Sequence, residues 1–225
     1  MSEINTVQES RLDTLLSPEM LEWAKVNGRD FAVLMAYYKC AMMAVETKFN
    51  VLNVEHSLKL ERNPILSIRT RLKEPYSIVD KLHRLGKTVT LQSLEENISD
   101  VAGVRVICAF PSDVYMLADA LLKQDDIILI RRKDYIQNPK PNGYRSLHLI
   151  VTVPIFLARE KKVMRVEVQL RTISMDSWAS LEHQMCYKKD TPFTEEMAQE
   201  LLRCALLSAE LDARMDKLGK QTGCR

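Results

Sequence analysis

Two long stretches with helical spacing bracket the chain, and shorter alternating stretches fill the space between them. Ser17-Pro18 offers a capping hydroxyl followed by a proline in a first turn. From there a helical pattern runs to about Leu60, with Asn27-Gly28 as a candidate break. Phe31, Met35, Tyr38, Met42, Val45, Phe49 and Leu52 recur within it at alternating four- and three-residue steps. Over 194–219 the pattern repeats with Met197, Leu201, Cys204, Ser208, Leu211, Met215 and Leu218. Either stripe suits pairing with another helix, within or between subunits, or packing on the chain's own sheet. Between them, strands are predicted near 65–72, 103–110, 127–133, 146–153 and 163–170, and helices near 75–86, 90–97, 112–123 and 174–187. This order predicts an α/β (α+β) fold on a mixed five-stranded sheet, flanked by helices. Residues 1–16 read as a flexible N-terminus and 17–225 as a single domain.

Several strands divide into an apolar and a polar face with a period of two. Leu66, Ile68, Thr70 and Leu72 oppose Ser67, Arg69, Arg71 and Lys73. Leu147, Leu149, Val151 and Val153 oppose Ser146, His148, Ile150 and Thr152. The last strand is clearest, with Met164, Val166, Val168 and Leu170 against Arg165, Glu167, Gln169 and Arg171. Arg105 falls out of phase with Val104 and Val106 in the same way. A sheet covered on both faces would read as continuous apolar runs. One face is therefore expected to be buried and the other open, and its guanidinium, carboxylate and amide content favours a site over plain solvent exposure.

The stretch KDYIQNPKPNGYRSLH (133–148) leaves one strand, breaks into a loop at Asn138–Gly143 and is expected to re-enter a strand at Tyr144. Two prolines and a glycine exclude helix there. Lys140, Asn142 and Tyr144 supply a charge for phosphate, a directional hydrogen bond for a base edge and a flat face for stacking. Turn chemistry alone also accounts for proline, asparagine and glycine in such a loop.

Length and charge narrow the picture. The chain's 225 residues suit one α/β domain, and its net charge of +2 excludes the global basic field of a general nucleic-acid binder. Positive charge is local, at Arg69/Arg71/Lys73, Arg131/Arg132/Lys133 and Lys161/Lys162/Arg165. Such clusters fit a small polyanion in a cleft or a solvated face. The five cysteines are scattered and odd in number, a reduced, cytoplasmic pattern in which Cys108 and Cys204 read as core residues. No stretch reads as a signal peptide or membrane span, and no membrane association is expected.

Two acids stand out for chemistry. Asp100 precedes the second strand and Glu167 lies mid-strand on the open face. Acids from neighbouring strands among many cations suit Mg²⁺, which takes one or two protein carboxylates and completes its octahedron with phosphate oxygens and water. Read singly, Asp100 is also a turn or cap acid and Glu167 a partner for Arg165 or Arg171. Gly86-Lys87-Thr88 lacks the upstream glycine of a phosphate-binding loop and reads as a helix C-cap. The four histidines (His56, His83, His148, His183) are too dispersed for a zinc set, and His183 beside Trp178 reads as packing.

RTRLKEPYSIVDK (69–81), DVAGVR (100–105), KDYIQNPKPNGYRSLH and EVQLRT (167–172), in that order, resemble the synthetase domain of the RelA/SpoT alarmone enzymes, in particular a stand-alone small alarmone synthetase. The resemblance covers about residues 60–190 and continues more loosely into the C-terminal helix. It implies a nucleotidyltransferase-like fold and transfer of the β,γ-pyrophosphate of ATP to the 3′-hydroxyl of GDP or GTP. By position, it makes Asp100 and Glu167 the Mg²⁺-binding, catalytic acids, with Glu167 also helping to deprotonate the hydroxyl. It makes Arg71 and Arg105 the pair that sandwiches adenine, a use that suits guanidinium planes. Lys73, Ser77 and Lys81 fall on the ATP phosphates. Lys133, Lys140, Asn142, Tyr144, His148 and Gln169 fall on the acceptor, with Lys140 on phosphate, Asn142 on the guanine edge and Tyr144 stacked on the base.

The resemblance further implies a homotetramer assembled through the terminal helices (17–60 and 194–219). No adjacent His-Asp pair is present, and no hydrolase activity is expected. RNA binding occurs in one subgroup of the family, and the VYMLADALLKQDDIILI run leans toward the other. Two alternatives are a catalytically silent guanine-nucleotide or RNA-binding module of the same fold and a template-independent nucleotidyltransferase. The pair of acids argues against the first, since unpaired carboxylates beside phosphate would weaken binding. The second usually carries a Gly-Ser turn followed by paired acids on one strand, a pattern missing from this sequence.

Overall fold

The computed structural model describes residues 18–187 and 193–222, so the N-terminus over 1–16 lies outside the described residues. The elements in chain order are α1 (Pro18–Leu60), β1 (Ile65–Leu72), α2 (Pro75–Arg84), α3 (Leu91–Asn97), β2 (Ala102–Cys108), α4 (Pro111–Leu122), β3 (Ile128–Asp134), β4 (Leu147–Phe156), β5 (Lys161–Thr172), α5 (Ile173–Tyr187) and α6 (Glu195–Gln221). The strands form one mixed sheet in the order β1-β2-β5-β4-β3. Only β2 and β5 run parallel; the other neighbours are antiparallel.

One sheet face is apolar, as the alternation requires. Val104, Val106, Leu149, Val151, Val166, Val168 and Leu170 are buried there against α1 and α4. From α1, the buried Tyr38, Met42, Val45, Phe49 and Leu52 meet them, so this stripe packs on the chain's own sheet. Burying a side chain of the size of Phe49 or Leu149 stabilises the fold by about 1.5–3 kcal/mol. The helix runs through the candidate break at Asn27-Gly28 without interruption. A helix-interior glycine costs only about 1 kcal/mol, which a helix of this length absorbs.

Short-range signals set the element ends. Pro75 opens α2 at a position where no amide donor is needed. Gly86 closes it at φ 65°, where Lys87 N donates to Leu82 O at 2.9 Å, so the Gly-Lys-Thr stretch is a helix C-cap and turn. Thr90 and Thr194 cap α3 and α6 by accepting from the amides of Ser93 and Met197. In α4, the buried Asp113 receives both terminal nitrogens of Arg62 at 2.7 and 2.9 Å, tying the helix start to the segment before β1.

Four expectations are corrected. A bulge between Ile65 and Ser67 shifts the start of β1, so Ile65 faces the core and Leu66 is 50% exposed. Tyr144 does not begin a strand, because β4 starts at Leu147 and Arg145 and Ser146 intervene. His183 is exposed on α5, while Trp178 is buried. Cys204 is exposed and only Cys108 of the pair is in the core. The last difference reflects how α6 lies. Its docking seam is Leu201, Ala205, Asp212 and Gly219, rotated from the predicted stripe, which leaves Leu211, Met215 and Leu218 about half exposed. Among the described residues no helix is long and apolar enough to cross a membrane.

The seam clamps the 138–146 loop. Gly143 sits at φ 88°, and a Cβ there would meet Ala205 Cβ at 2.4 Å. Gly143→Ala therefore combines backbone strain with a clash and should lower stability by about 1–3 kcal/mol, measured by denaturant unfolding. Burial pushes the Cys108 thiol far above its ordinary value, with Asp113 adding to the shift. Alkylation of the native protein should spare Cys108 and reach it only after unfolding, as read by peptide mass spectrometry.

Candidate active site

The other sheet face carries the polar residues, and strand register brings them into rows. Pairing of Arg69 with Arg105, Arg105 with Gln169, Gln169 with His148 and His148 with Lys133 makes one row across all five strands. The adjacent row runs Arg71, Gly103, Glu167, Ile150 and Arg131. Gly103 has no side chain between Arg71 and Glu167, which leaves room on this face of the sheet.

Two adjoining cavities occupy this face. The first, about 270 Å³, is lined by Arg69, Arg71, Asp100, Gly103, Arg105, Glu167 and Gln169. The second, about 390 Å³, is lined by Lys81, Asp100, Arg131, Lys133, Tyr135, Lys140, His148 and Glu167, among others. Asp100 and Glu167 are the residues common to both. Arg69/Arg71 and Arg131/Lys133 thus serve the clefts. Lys161 and Lys162 instead lie over the rings of Phe156 and Tyr37, and Arg165 donates to the carbonyls of Glu95 and Glu96.

Both acids are held ionised. Burial pushes the Asp100 carboxyl up, but hydrogen bonds and charge from Lys81 (2.8 Å) and Lys73 (3.1 Å) outweigh it and leave its pKa below the ordinary value. Burial acts on Glu167 in the same direction, and nearby Asp100 adds to it. His148, with Nδ1 3.4 Å from Oε1, and Gln169, donating at 2.9 Å, outweigh both and hold its pKa down. Neither Arg165 nor Arg171 is a hydrogen-bond partner of Glu167. Among the described residues no group of three or more His, Cys, Asp or Glu is gathered for a metal ion.

The loop residues divide. Lys140 Nζ lies 4.7 Å from the Tyr144 ring centroid and 5.0 Å from that of Tyr135. Tyr135, Tyr144 and His148 form an edge-to-face trio with centroids 5.3–5.9 Å apart. Asn142 stands apart from both cavities, with its oxygen accepting from Tyr144 N and its amide nitrogen donating to Glu182. Lys73 reaches the site through Asp100, and Ser77 lies in the first turn of α2, lining neither cavity.

Sequence reading missed three contributors. Tyr135 lines the second cavity, and only its place in the same loop hinted at this. Arg171 continues the polar alternation of β5 but was not read as a site residue. It is 4% exposed and donates to Tyr144, Gln169 and Asp176. Asp176, in the first turn of α5, accepts from Arg69, Arg105 and Arg171. Burial and the neighbouring Arg171 lower the pKa of Arg105, and Asp176 offsets part of that. No local pattern could have marked Asp176, because its partners come from three different strands.

Known proteins share this fold. Residues 70–192 match the family described as a region found in RelA / SpoT proteins. The GTP pyrophosphokinase YwaC of Bacillus subtilis is 40% identical over 206 residues, covering 92% of this chain and 98% of the relative. The crystal structure of small alarmone synthetase 2 from Bacillus subtilis superposes with a TM-score of 0.77 at 40% identity, covering 85% of this chain and 99% of that one. That of small alarmone synthetase 1 from the same organism, bound to its product pppGpp, superposes with a TM-score of 0.77 at 27% identity, covering 86% and 98%. With the family match spanning more than half of its residues and the relative aligned along nearly its whole length, the chain belongs to the RelA/SpoT family.

Proposed function

We propose that this protein is a GTP pyrophosphokinase, transferring the β,γ-pyrophosphate of ATP to the 3′-hydroxyl of GDP or GTP and releasing AMP. The observation that carries this reading is the pair of cavities meeting at Asp100 and Glu167. A two-substrate transfer needs two nucleotides whose reacting ends converge, and a carboxylate at that point to handle the proton. Arg71 and Arg105 in the first cavity face the donor base. Lys73 and Lys81, both bonded to Asp100, would meet its phosphates, with Ser77 joining them from the first turn of α2. Lys133, Lys140 and His148 line the second cavity and serve the acceptor, joined by Tyr144 beside Lys140 and His148 and by Gln169, which bonds Glu167 from the first cavity. Asn142 joins them once its amide exchanges Glu182 for a guanine edge.

The acceptor 3′-oxygen forms its bond to the β-phosphorus as the bond from that phosphorus to the α–β bridging oxygen breaks, and AMP leaves with that oxygen. Glu167 takes the hydroxyl proton. Two ionised acids at one junction fit Mg²⁺, so Asp100 and Glu167 would hold the ion. When bound, it supplies neutralisation of charge on the transferring group. Residues 17–225 act as one synthetase domain, and the substrates are nucleotides of the cytoplasm. The exposed apolar residues of α6, with Leu206 63% and Leu207 65% exposed, and of α1, with Val54 63% and Leu58 80%, support assembly as a homotetramer through these helices.

Incubation with γ-labelled ATP, Mg²⁺ and GDP or GTP should move label to the guanosine nucleotide with release of AMP. Inertness, or addition of a nucleoside monophosphate, would refute the reading. Glu167→Gln or Asp100→Asn should lower turnover by about a hundredfold or more without loss of fold. Tyr144→Ala should raise the acceptor KM by about tenfold or more, given ~1–3 kcal/mol per stacked base. Leu207→Glu with Leu211→Glu should reduce the assembly from tetramer mass, as read by light scattering.

A further inference from the structure

Arg171 is a nearly buried cation that the proposed transfer does not use, yet its hydrogen bonds determine the direction of others around Glu167. An arginine can only donate. Its Nη2 donates to Gln169 Oε1 at 2.9 Å, which turns the Gln169 amide so that Nε2 faces Glu167 Oε2, also at 2.9 Å. The same Nη2 donates to the Tyr144 hydroxyl oxygen, which lies 2.8 Å from His148 Nε2. With its oxygen already accepting, Tyr144 has one proton to give, and His148 Nε2 lies in place to receive it. The ring proton then resides on Nδ1, which faces Glu167 Oε1 at 3.4 Å. The opposite tautomer would set a nitrogen lone pair against a carboxylate.

We propose that Arg171 is a positioning residue that fixes, through Tyr144–His148 on one route and Gln169 on the other, the direction of the hydrogen bonds converging on Glu167. The guanidinium is itself clamped by Asp176 through Nη1 at 3.3 Å and by Ser146 Oγ through Nε at 3.3 Å. Its planar fork serves four acceptors at once, which an ammonium cannot reproduce. Glu167 is thereby aimed before any nucleotide arrives. Asp176 also holds Arg69 and Arg105, so the carboxylate that steadies Arg171 steadies the first cavity as well.

The kinetic consequence rests on the pyrophosphokinase reading, whereas the tautomer does not. The decisive measurement is the ¹⁵N spectrum of histidine-labelled protein without nucleotide or metal above neutral pH, with His148→Gln identifying the signals. The expected result is a His148 tautomer with its proton on Nδ1. A tautomer with the proton on Nε2 would overturn the proposal. Tyr144→Phe keeps the ring but removes the relay and should weaken the Nδ1 preference, leaving Glu167 alone to favour it. Arg171→Lys should do the same, and lower kcat by about ten- to a hundredfold while leaving the KM for ATP within about twofold. Retention of the wild-type tautomer and kcat in both variants would overturn it. Should Arg171→Lys fail to fold, the wild-type and Tyr144→Phe spectra still decide. An Nδ1-protonated ring in a protein that makes no product would refute the activity and leave the network standing.

Discussion

The parallel pairing of β2 with β5 is the constraint from which the site follows. It sets Gly103 opposite Glu167 and Arg105 opposite Gln169, and the antiparallel neighbours extend both rows to the sheet edges. Because side chains alternate strictly along a strand, a slip of one residue would send Glu167 into the apolar layer and Val168 into the cleft. The register is held by that same layer. Val104, Val166, Val168 and Leu149 are essentially inaccessible to water, so the packing that stabilises the sheet also fixes which charges face each other.

Gathering charges around two adjoining cavities carries an electrostatic cost, and the structure meets it by pairing. Asp100 is satisfied by two lysines, Glu167 by an imidazole and an amide, and Asp176 by three arginines. Desolvation alone would favour protonated acids, yet Asp100 and Glu167 both remain below the ordinary carboxylate range. The two cavities therefore meet at negative charge that is already organised, with cations on every side of it.

The C-terminal helix performs two tasks with two faces. Its small residues press on the loop, Ala205 against Gly143, while Trp178 donates to the Leu201 carbonyl. The buried Asp212 accepts from Thr172 at the end of β5 and from Arg145 beside Tyr144. Burial raises the pKa of Asp212, and those donors counter the rise only in part. The opposite face carries Leu206, Leu207, Leu211 and Met215 to the surface. Assembly through that face would rest directly on the helix that shapes the 138–146 loop.

Periodicity determined a great deal here. The strand and helix order, the buried and open sheet faces, the placement of Arg71, His148, Glu167 and Gln169 on one side, and the helix stop at Gly86 all follow from spacing two to four residues apart. Local sterics and hydrophobic burial act over that range, so a sequence records them. Motif order carried the family, and with it the implied division of Asp100 and Arg105 between metal and adenine. Other features depended on contacts distant in sequence. The bulge at Leu66, the face of α6 that docks, the exposure of Cys204 and His183, and the engagement of Asn142 by Glu182 were settled by which neighbour arrived from elsewhere. Asp176 and Arg171 gained their importance in the same way. A carboxylate at the start of a helix and an arginine at the end of a strand are ordinary until the tertiary fold brings Arg69, Arg105 and Tyr144 around them, because charge pairing is decided by distance in space and not along the chain.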